Sequence, residues 1–297
     1  MTPADKDKRS VALISLGAAI GLTGIKLVIG LLTGSLGILA EAAHSGLDLV
    51  AAAATYVAVR ISSKPPDQTH LYGHGKVENL SALFETVLLL ITCVWIIYAA
   101  VNRLIFKTVE VEVTFWSFAV MATSIVVDAT RSRALYRAAK QYNSQALEAD
   151  ALHFQTDIWS SSVVILGLIG VKVSELVPGA AFLMHADAVA ALGVAFLVIT
   201  ITSRLGFRSL NALLDGAPAG LEQRIIQTVE AIPGIGNCHN VRMRYSGARL
   251  FVDIHVLMDG GQTLRLAHDT TEEIERAIQQ LVPDADVTVH PEPVETH

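Results

Sequence analysis

The sequence predicts a membrane-embedded, all-α bundle of six helices followed by a small α+β domain, and three observations favour this class. Hydrophobic residues fill 52% of the 297 positions and charged residues only 17%, whereas soluble domains carry about 25% charged residues. The mean hydropathy is +0.48. Long apolar runs occupy the chain up to about Arg208, and mixed polar and apolar residues follow.

Six apolar runs are long enough to cross a bilayer, because about 20 helical residues span a hydrocarbon core of about 30 Å. We predict a transmembrane domain over 1–208, with helices at 11–32, 36–60, 78–103, 113–138, 146–172 and 183–205. Lys and Arg concentrate on one side of these spans, which places both termini in the cytoplasm. The first residues, MTPADKDKRS, contain no signal-peptide cleavage pattern. We therefore expect a multi-pass protein of the inner, cytoplasmic membrane of the cell.

Residues 209–297 predict a cytoplasmic domain with the element order αββαβ, similar in shape to ferredoxin-like metallochaperones. Ser246-Gly247-Ala248 is a hairpin signal between two alternating segments. We expect helices on one face of a sheet. The predicted helices are 221–232 and 264–281, and the predicted strands are 238–245, 249–258 and 286–290.

Two copies of one short pattern lie inside the second and fifth apolar runs. His44 and Asp48 form the first, and His153 and Asp157 form the second, so each pair lies one helical turn apart on one face. Ionisable groups at that depth cost about 2.5–3.5 kcal/mol per Asp on insertion scales and usually mark a function. Four converging N and O ligands suit tetrahedral Zn²⁺. The alternative is that these side chains only pair with one another to pack the helices, but this explains two matched His/Asp motifs poorly.

These ligand types also carry protons. Histidine must be neutral and aspartate ionised to bind a metal, so metal binding releases protons and protonation releases metal. A proton gradient can therefore drive a cation outward without a nucleotide. The sequence contains no Walker A pattern, which agrees with this mechanism.

A second candidate site lies in the loop between the second and third spans. Asp67, His70 and His74 supply one carboxylate and two imidazoles, with the histidines at i,i+4 spacing. The alternative is a polar loop whose histidines contact only water or backbone. The spacing alone does not decide between these interpretations.

A third candidate site lies in the C-terminal domain. Alternation along strand 249–258 turns Val252, Ile254 and Val256 inward and leaves His255 on the opposite face. Four histidines and a glutamate are able to bind two zinc ions at a domain surface or a dimer seam, although scattered surface histidines are the alternative. The candidate ligands are His239, His255, His268, His290 and Glu292.

Several functions are excluded or disfavoured. The net charge of −6 leaves no basic face to follow nucleic-acid phosphates. Cys93 and Cys238 are too few for a disulfide framework or a cysteine-based zinc knuckle. We do not expect Lys26, Glu41 or Asp150 to bind the metal. Glu41 and Asp150 are interpreted as outer partners of the ligands or as cavity lining, and Lys26 either as a snorkelling side chain or as a residue paired within the bundle.

Taken together, the six spans, the paired His/Asp motifs, the loop HLYGHGKVE and the terminal αββαβ order resemble the cation diffusion facilitator family, and in particular its bacterial zinc and iron-type efflux transporters. The resemblance covers about 11–292. It implies a homodimer in the lipid bilayer that exports Zn²⁺, or a similar divalent cation such as Cd²⁺, from the cytoplasm in exchange for protons. It implies a secondary transporter rather than an enzyme, without a nucleic-acid partner.

The resemblance also implies residue roles. Glu292 stands where an aspartate is usual, and Asn240 replaces an acidic residue. Lys76 and Asp215 match a charge interlock at the membrane–cytoplasm junction. His44 stands where several bacterial relatives have Asp, which shifts the preference toward Zn²⁺ and away from Mn²⁺. The matched ligands are His44, Asp48, His153 and Asp157 for transport, Asp67, His70 and His74 for the loop, and His239, His255, His268 and His290 for a binuclear cytoplasmic site.

Two other functions stay open from the sequence. An intramembrane metallohydrolase needs a base beside an open zinc position, but HExxH is absent and only Glu41 and Asp150 lie near the paired motifs. A membrane metal sensor would signal through its C-terminal domain without moving ions. For the transporter, we expect ion binding in that domain to bias the dimer toward a transport-competent arrangement.

Overall fold

The computed structural model describes residues 3–34, 36–106, 115–176 and 186–294. The chain divides into two compact units, Met1–Pro65 with Val77–Ser209, and Pro66–Lys76 with Leu210–His297. The short loop before the third long helix therefore clusters with the C-terminal residues, although it falls within our 1–208 domain. The boundary at residue 208 stays a prediction.

Long helices build the first unit. Four of them, α1, α2, α3 and α6, contain stretches apolar and long enough to cross a membrane, and α4 and α5 do not meet that criterion over their described residues. A helical membrane domain is thus confirmed, and the count of six spans stays a prediction. The predicted starts at 113 and 183 lie outside the described residues. The helices are α1 Pro3–Thr33, α2 Leu36–Ser62, α3 Lys76–Phe106, α4 Phe115–Tyr142, α5 Gln145–Leu176 and α6 Ala186–Leu213.

Both α4 and α5 carry charged residues that lie inside the bundle. Asp128, Arg131 and Asp150 are all buried. The Arg131 guanidinium lies 3.6 Å from the centre of the Phe154 ring, and its Nη1 is 3.2 Å from Asp128 Oδ1. Arg131 therefore packs between helices and is not one of the exposed positive charges that flank the spans.

Small side chains let α1, α2, α4 and α5 approach one another closely. Ser144 begins α5, where its Oγ accepts a hydrogen bond from Leu147 N at 3.4 Å, as expected of an N-cap serine. Because α2 and α5 share this core, side chains on their facing sides meet inside the unit. The shared core consists of Ala12, Ala19, Ala52, Val59, Leu135, Ala138, Ala139, Ala146, Leu147, Ala151 and Phe154.

The C-terminal residues form the predicted αββαβ order, which is confirmed. The sheet order is β1-β2-β3, with β1 and β2 antiparallel and β2 and β3 parallel. Both helices pack on one face of the sheet, where Ile225 and Ile274 join the buried cluster with Val252 and Ile254. The other face carries polar side chains. The elements are α7 Leu221–Glu230, β1 Ile235–Ser246, β2 Arg249–Met258, α8 Leu264–Leu281 and β3 Asp286–Pro293.

The loop 66–76 packs on the β1–β2 hairpin of the same unit. A Cβ atom at Gly75 would lie 2.3 Å from the Ser246 carbonyl oxygen, so only glycine fits there. The Tyr72 ring meets Phe251 edge-on with centroids 5.3 Å apart, and the Arg244 guanidinium lies 4.0 Å from the centre of the Tyr72 ring. The loop is therefore held by backbone fit and aromatic contact.

Candidate metal sites

The two His/Asp pairs on α2 and α5 face each other, and we call His44, Asp48, His153 and Asp157 the membrane quartet. Each imidazole Nε2 lies within 4 Å of both carboxylates. His44 Nε2 is 3.6 Å from Asp157 Oδ1 and 3.9 Å from Asp48 Oδ1. His153 Nε2 is 3.1 Å from Asp48 Oδ1 and 3.8 Å from Asp157 Oδ2. Imidazoles and carboxylates therefore alternate around the ring of contacts that the quartet forms.

Burial differs within the membrane quartet. Three members are nearly enclosed, whereas the His44 side chain is 45% exposed. Ligand atoms of His44, Asp48 and Asp157 all lie within 4.8 Å of one another. Among the described residues, His153 Nδ1 and Asp157 Oδ2 are buried without a hydrogen-bond partner. Buried polar atoms are normally satisfied, so the unsatisfied Asp157 oxygen beside three ligand groups indicates room for a cation.

Further charged groups surround the membrane quartet without joining it. Lys26 Nζ donates to Ser45 Oγ at 2.8 Å and to Glu41 Oε2 at 3.2 Å, so Lys26 pairs inside the bundle and does not snorkel. Glu85 is fully buried and accepts a hydrogen bond from Thr55. These contacts link α1 to α2 and α2 to α3 next to the quartet.

The loop residues Asp67, His70 and His74 form a second cluster, the loop triad, within the second unit. Asp67 Oδ1 is 3.3 Å from His70 Nδ1, Asp67 Oδ2 is 3.3 Å from His74 Nε2, and the two rings lie 4.5 Å apart. Asp67 Oδ1 also accepts from the backbone N–H of His70 at 2.7 Å and of Thr69 at 2.9 Å. These hydrogen bonds hold the pKa of the Asp67 carboxyl well below its ordinary value, and the bond from the His70 backbone contributes most.

The open face of the C-terminal sheet holds a third cluster, the sheet cluster, of His239, His255, His290 and Glu292. Strand register aligns His239 with His255 and His255 with His290. Glu292 Oε1 accepts from His255 Nδ1 at 2.7 Å, and Glu292 Oε2 is 3.2 Å from His239 Nε2. The His255 hydrogen bond lowers the pKa of Glu292. Asn240 Nδ2 lies 3.1 Å from His255 Nε2, where it occupies part of the space around that ring.

His290 approaches the sheet cluster loosely, and His268 lies elsewhere. The His290 ring centre is 4.8 Å from that of His255, and His290 Nε2 is 3.8 Å from Glu292 Oε1. His268 stands on α8, where its Nε2 is 3.4 Å from Glu272 Oε1. Because α8 covers the opposite face of the sheet, one copy of the chain does not bring His268 to the cluster.

The two residues of the expected charge interlock form an ion pair. Lys76 Nζ donates to Asp215 Oδ1 at 2.8 Å and to the Leu213 carbonyl at 3.3 Å. Asp215 has a positive φ of 60°, which carboxylate side chains tolerate better than most. Both residues of the pair belong to the second unit, and the interlocking role of the pair stays a prediction.

One buried polar node was missed from the sequence. Lys8 Nζ on α1 donates to Glu78 Oε1 on α3 at 2.7 Å, Ser62 at the end of α2 donates to the same oxygen at 2.8 Å, and Ser144 donates to Glu78 Oε2. Lys8 lies in a polar N-terminal segment whose composition predicts exposure to solvent. The only signal was the acidic Glu78 in the first turn of a largely apolar helix.

The chain is similar to known proteins along nearly its whole length. Residues 12–214 match the family described as the cation efflux transmembrane domain, and residues 217–294 match the cytoplasmic domain of cation efflux proteins. The cation-efflux pump FieF of Salmonella arizonae is 32% identical over 291 residues, which cover 95% of this chain and 91% of that protein. An uncharacterized transporter of Synechocystis is 32% identical over 290 residues, which cover 97% and 91%. A solved structure of the putative zinc transporter CzrB is 28% identical over 27% of this chain and all of that one, with a TM-score of 0.26.

Proposed function

Because the chain belongs to the cation diffusion facilitator family, whose members are transporters and not enzymes, we propose that it exports Zn²⁺ from the cytoplasm in exchange for protons through the membrane quartet. Family membership removes the metallohydrolase alternative. The single observation that carries the proposal is the approach of both imidazole Nε2 atoms to within 4 Å of both carboxylates, across two helices.

The quartet favours an exchange of metal for protons. Without metal, a protonated His153 donates to Asp48 at 3.1 Å, and a protonated His44 faces Asp157 at 3.6 Å, so charges balance inside the bundle. With metal, the same nitrogen and oxygen atoms turn to the cation and the protons must leave. Metal and protons are therefore alternative occupants of one set of atoms.

The donor set supports zinc as the transported ion. Two imidazoles and two carboxylates form a borderline N/O set in a tetrahedral number, which suits Zn²⁺ and disfavours the harder Mn²⁺. Cd²⁺, Co²⁺ and Ni²⁺ share enough of this chemistry to compete. Replacing His44 by Asp adds an oxygen ligand and a negative charge, so His44→Asp should raise the Mn²⁺-to-Zn²⁺ flux ratio by about tenfold.

A liposome flux assay tests the proposal. Purified protein is reconstituted, an outwardly or inwardly directed pH gradient is imposed, and Zn²⁺, Cd²⁺, Mn²⁺ and Fe²⁺ are followed with an internal dye. We expect Zn²⁺ flux that follows the proton gradient, and loss of flux in Asp157→Ala with normal folding. Asp253→Ala, which alters an exposed carboxylate outside the three clusters, is the matched control. Metal binding without any flux in the wild-type protein would favour the sensor alternative.

We further propose that six helices span the inner membrane and that both termini lie on its cytoplasmic side. The burial of Asp128, Arg131 and Asp150 supports this, because it leaves α4 and α5 without those charges on their outer surfaces. Periplasmic and cytoplasmic reporter fusions at the ends of α4 and α5 test the count. Opposite reporter signals at the two ends of each helix are expected, and equal signals would exclude a span.

The position of His268 supports a homodimer. In one copy this histidine lies away from the sheet cluster, on α8, so a second copy is the available source of a fourth imidazole. We infer that metal binding where His268 of one copy meets the sheet cluster of the other biases the dimer toward a transport-competent arrangement. His268→Ala should lower Zn²⁺ stoichiometry or affinity of the full-length dimer without changing the binding by the membrane quartet. An unchanged affinity would place His268 outside the site.

A further inference from the structure

Lys26 is a lysine inside the helix bundle, only 3% exposed, at the level of the membrane quartet. Its Nζ is held on α2 by Ser45 Oγ at 2.8 Å and by Glu41 Oε2 at 3.2 Å. Ser45 is the neighbour of His44, and Glu41 lies one turn before it. An intramembrane lysine is costly and is by default a functional group.

The two hydrogen-bond partners of Lys26 differ in charge and in exposure to solvent. Ser45 is buried and uncharged, whereas the Glu41 carboxylate is 43% exposed and so is partly screened by solvent. The enclosed positive charge is therefore compensated incompletely by its own partner. Because Lys26 Nζ contacts the side chain of Ser45, the residue directly after His44, this positive charge lies next to the quartet.

We propose that Lys26 is a tethered counter-cation of the transport site, whose fixed positive charge weakens the binding of the incoming dication and thereby eases its release. The inference rests on the proposed transport function. Two carboxylates and two imidazoles that held a dication without opposition would bind it tightly and release it slowly. A positive charge one helix away raises the energy of the metal-bound state in a region of low dielectric constant. Lys26 touches no metal and acts as a positioning and electrostatic residue.

Lys26 also has a purely structural interpretation. It helps to join α1 to α2 together with Thr23, whose Oγ1 donates to the Ser45 carbonyl at 3.0 Å. In that case the hydrogen bonds of Lys26 matter and its charge does not. Lys26→Gln separates the interpretations, because glutamine retains a donor without the charge, while Lys26→Arg retains the charge.

The experiment uses the full-length protein in lipid nanodiscs and liposomes, with Asp67→Ala and His255→Ala added to remove binding by the loop triad and the sheet cluster. Zn²⁺ affinity is measured by calorimetry, and flux yields KM and kcat. For Lys26→Gln we expect Kd and KM to fall together by at least about tenfold, while kcat does not rise. Lys26→Arg should restore the parent values within about twofold.

Glu41→Gln provides a test of opposite sign. Neutralising Glu41 leaves the Lys26–Glu41 pair with a net positive charge next to the quartet. Zn²⁺ affinity should therefore fall severalfold. In the double variant with Lys26→Gln both charges are absent, so the two opposite effects should offset each other and Kd should lie between the values of the two single variants. Additive effects of this kind are expected of two charges that each act directly on the site.

The inference is overturned if Lys26→Gln binds Zn²⁺ with unchanged or weaker affinity while folding normally, since the charge then does not oppose binding. Tighter Zn²⁺ binding by Glu41→Gln than by the parent protein would also overturn it. Failure of the transport proposal is recognised separately, because the parent protein would then show no proton-driven flux at all, whatever its affinity.

Discussion

The membrane quartet and the loop triad use the same ligand types, but their surroundings are opposite. The quartet joins two helices inside the bundle, and the Asp48 and His153 side chains are 11% and 8% exposed. The loop triad comes from one short segment, and the Asp67 and His70 side chains are 50% and 58% exposed. Asp67 is also satisfied by backbone N–H groups, whereas a buried oxygen of Asp157 has no hydrogen-bond partner among the described residues.

This difference in burial determines how each cluster is able to exchange a metal ion. Enclosed carboxylates need a cation or protons at all times, since an unpaired buried charge is costly. Exposed ligands exchange a metal for water at little cost to the fold. The quartet is therefore suited to obligatory exchange, and the loop triad to reversible loading.

The largest expected effect separates the two clusters directly. His153→Ala should reduce Zn²⁺ flux at least about 100-fold, because loss of even an outer partner of a metal ligand typically costs about 10- to 100-fold. His70→Ala should reduce it no more than about threefold. Both fluxes are measured in the same liposomes. Equal losses would mean that the loop triad lies on an obligatory route.

The next effect concerns a sulfur atom beside the sheet cluster. Cys238 precedes His239 but is buried in the core, and burial, with a smaller contribution from Glu230, raises its pKa to about 11. Only the thiolate reacts with alkylating agents. We therefore expect iodoacetamide to label Cys238 at pH 8 about 100-fold more slowly than in the unfolded chain, because the raised pKa leaves far less thiolate at that pH. Zn²⁺ should not alter the rate, and protection by Zn²⁺ would make the thiol a ligand.

A smaller effect tests how the loop triad is held. Gly75→Ala places a methyl group against the Ser246 carbonyl, so the loop must shift. Hydrogen exchange of amides 67–76 should quicken about tenfold in the full-length protein, equivalent to a loss of about 1.4 kcal/mol of local stability. Gly236→Ala is the control, since its added Cβ meets atoms at 3.6 Å or more. Unchanged exchange in Gly75→Ala would show that the hairpin does not hold the loop.

The smallest effect depends on pH. The folded-state pKa of Asp67 lies below its ordinary value of 3.8, so its ordering contribution is fully present above that value and is lost only as pH falls further. Asp67→Asn should therefore quicken exchange of the Thr69 and His70 amides severalfold at pH 6, and the difference from wild type should vanish only well below pH 4. A difference that is equal at every pH would assign the effect to shape rather than charge.

Local signals predicted much of this fold. The αββαβ order followed from alternation, from Pro233-Gly234 after α7 and from Gly247 in the hairpin, because such turns depend on a few neighbouring residues. The positions of the His/Asp pairs on α2 and α5 also followed from the sequence. Their roles as ligands, and those of the loop and sheet residues, stay predictions.

Other features depended on contacts between distant residues. The polar residues of α4 and α5 gave no indication that Arg131 packs on Phe154. Neither the Lys8–Glu78 pair, separated by 70 positions, nor the seating of Gly75 on Ser246 has a local pattern. His268 carries the same chemistry as His255, yet they lie on opposite sides of the sheet.

By itself, the sequence determined that this is a membrane protein with a small C-terminal α+β domain, and it predicted which side chains are candidate metal ligands. Hydrophobic length and strand alternation act over short distances, so composition and spacing are sufficient for those conclusions. Only the tertiary structure decided which imidazole meets which carboxylate, which charges are enclosed and that Lys26 stands beside the quartet. Those outcomes depend on helix rotation and close packing, which no short segment encodes.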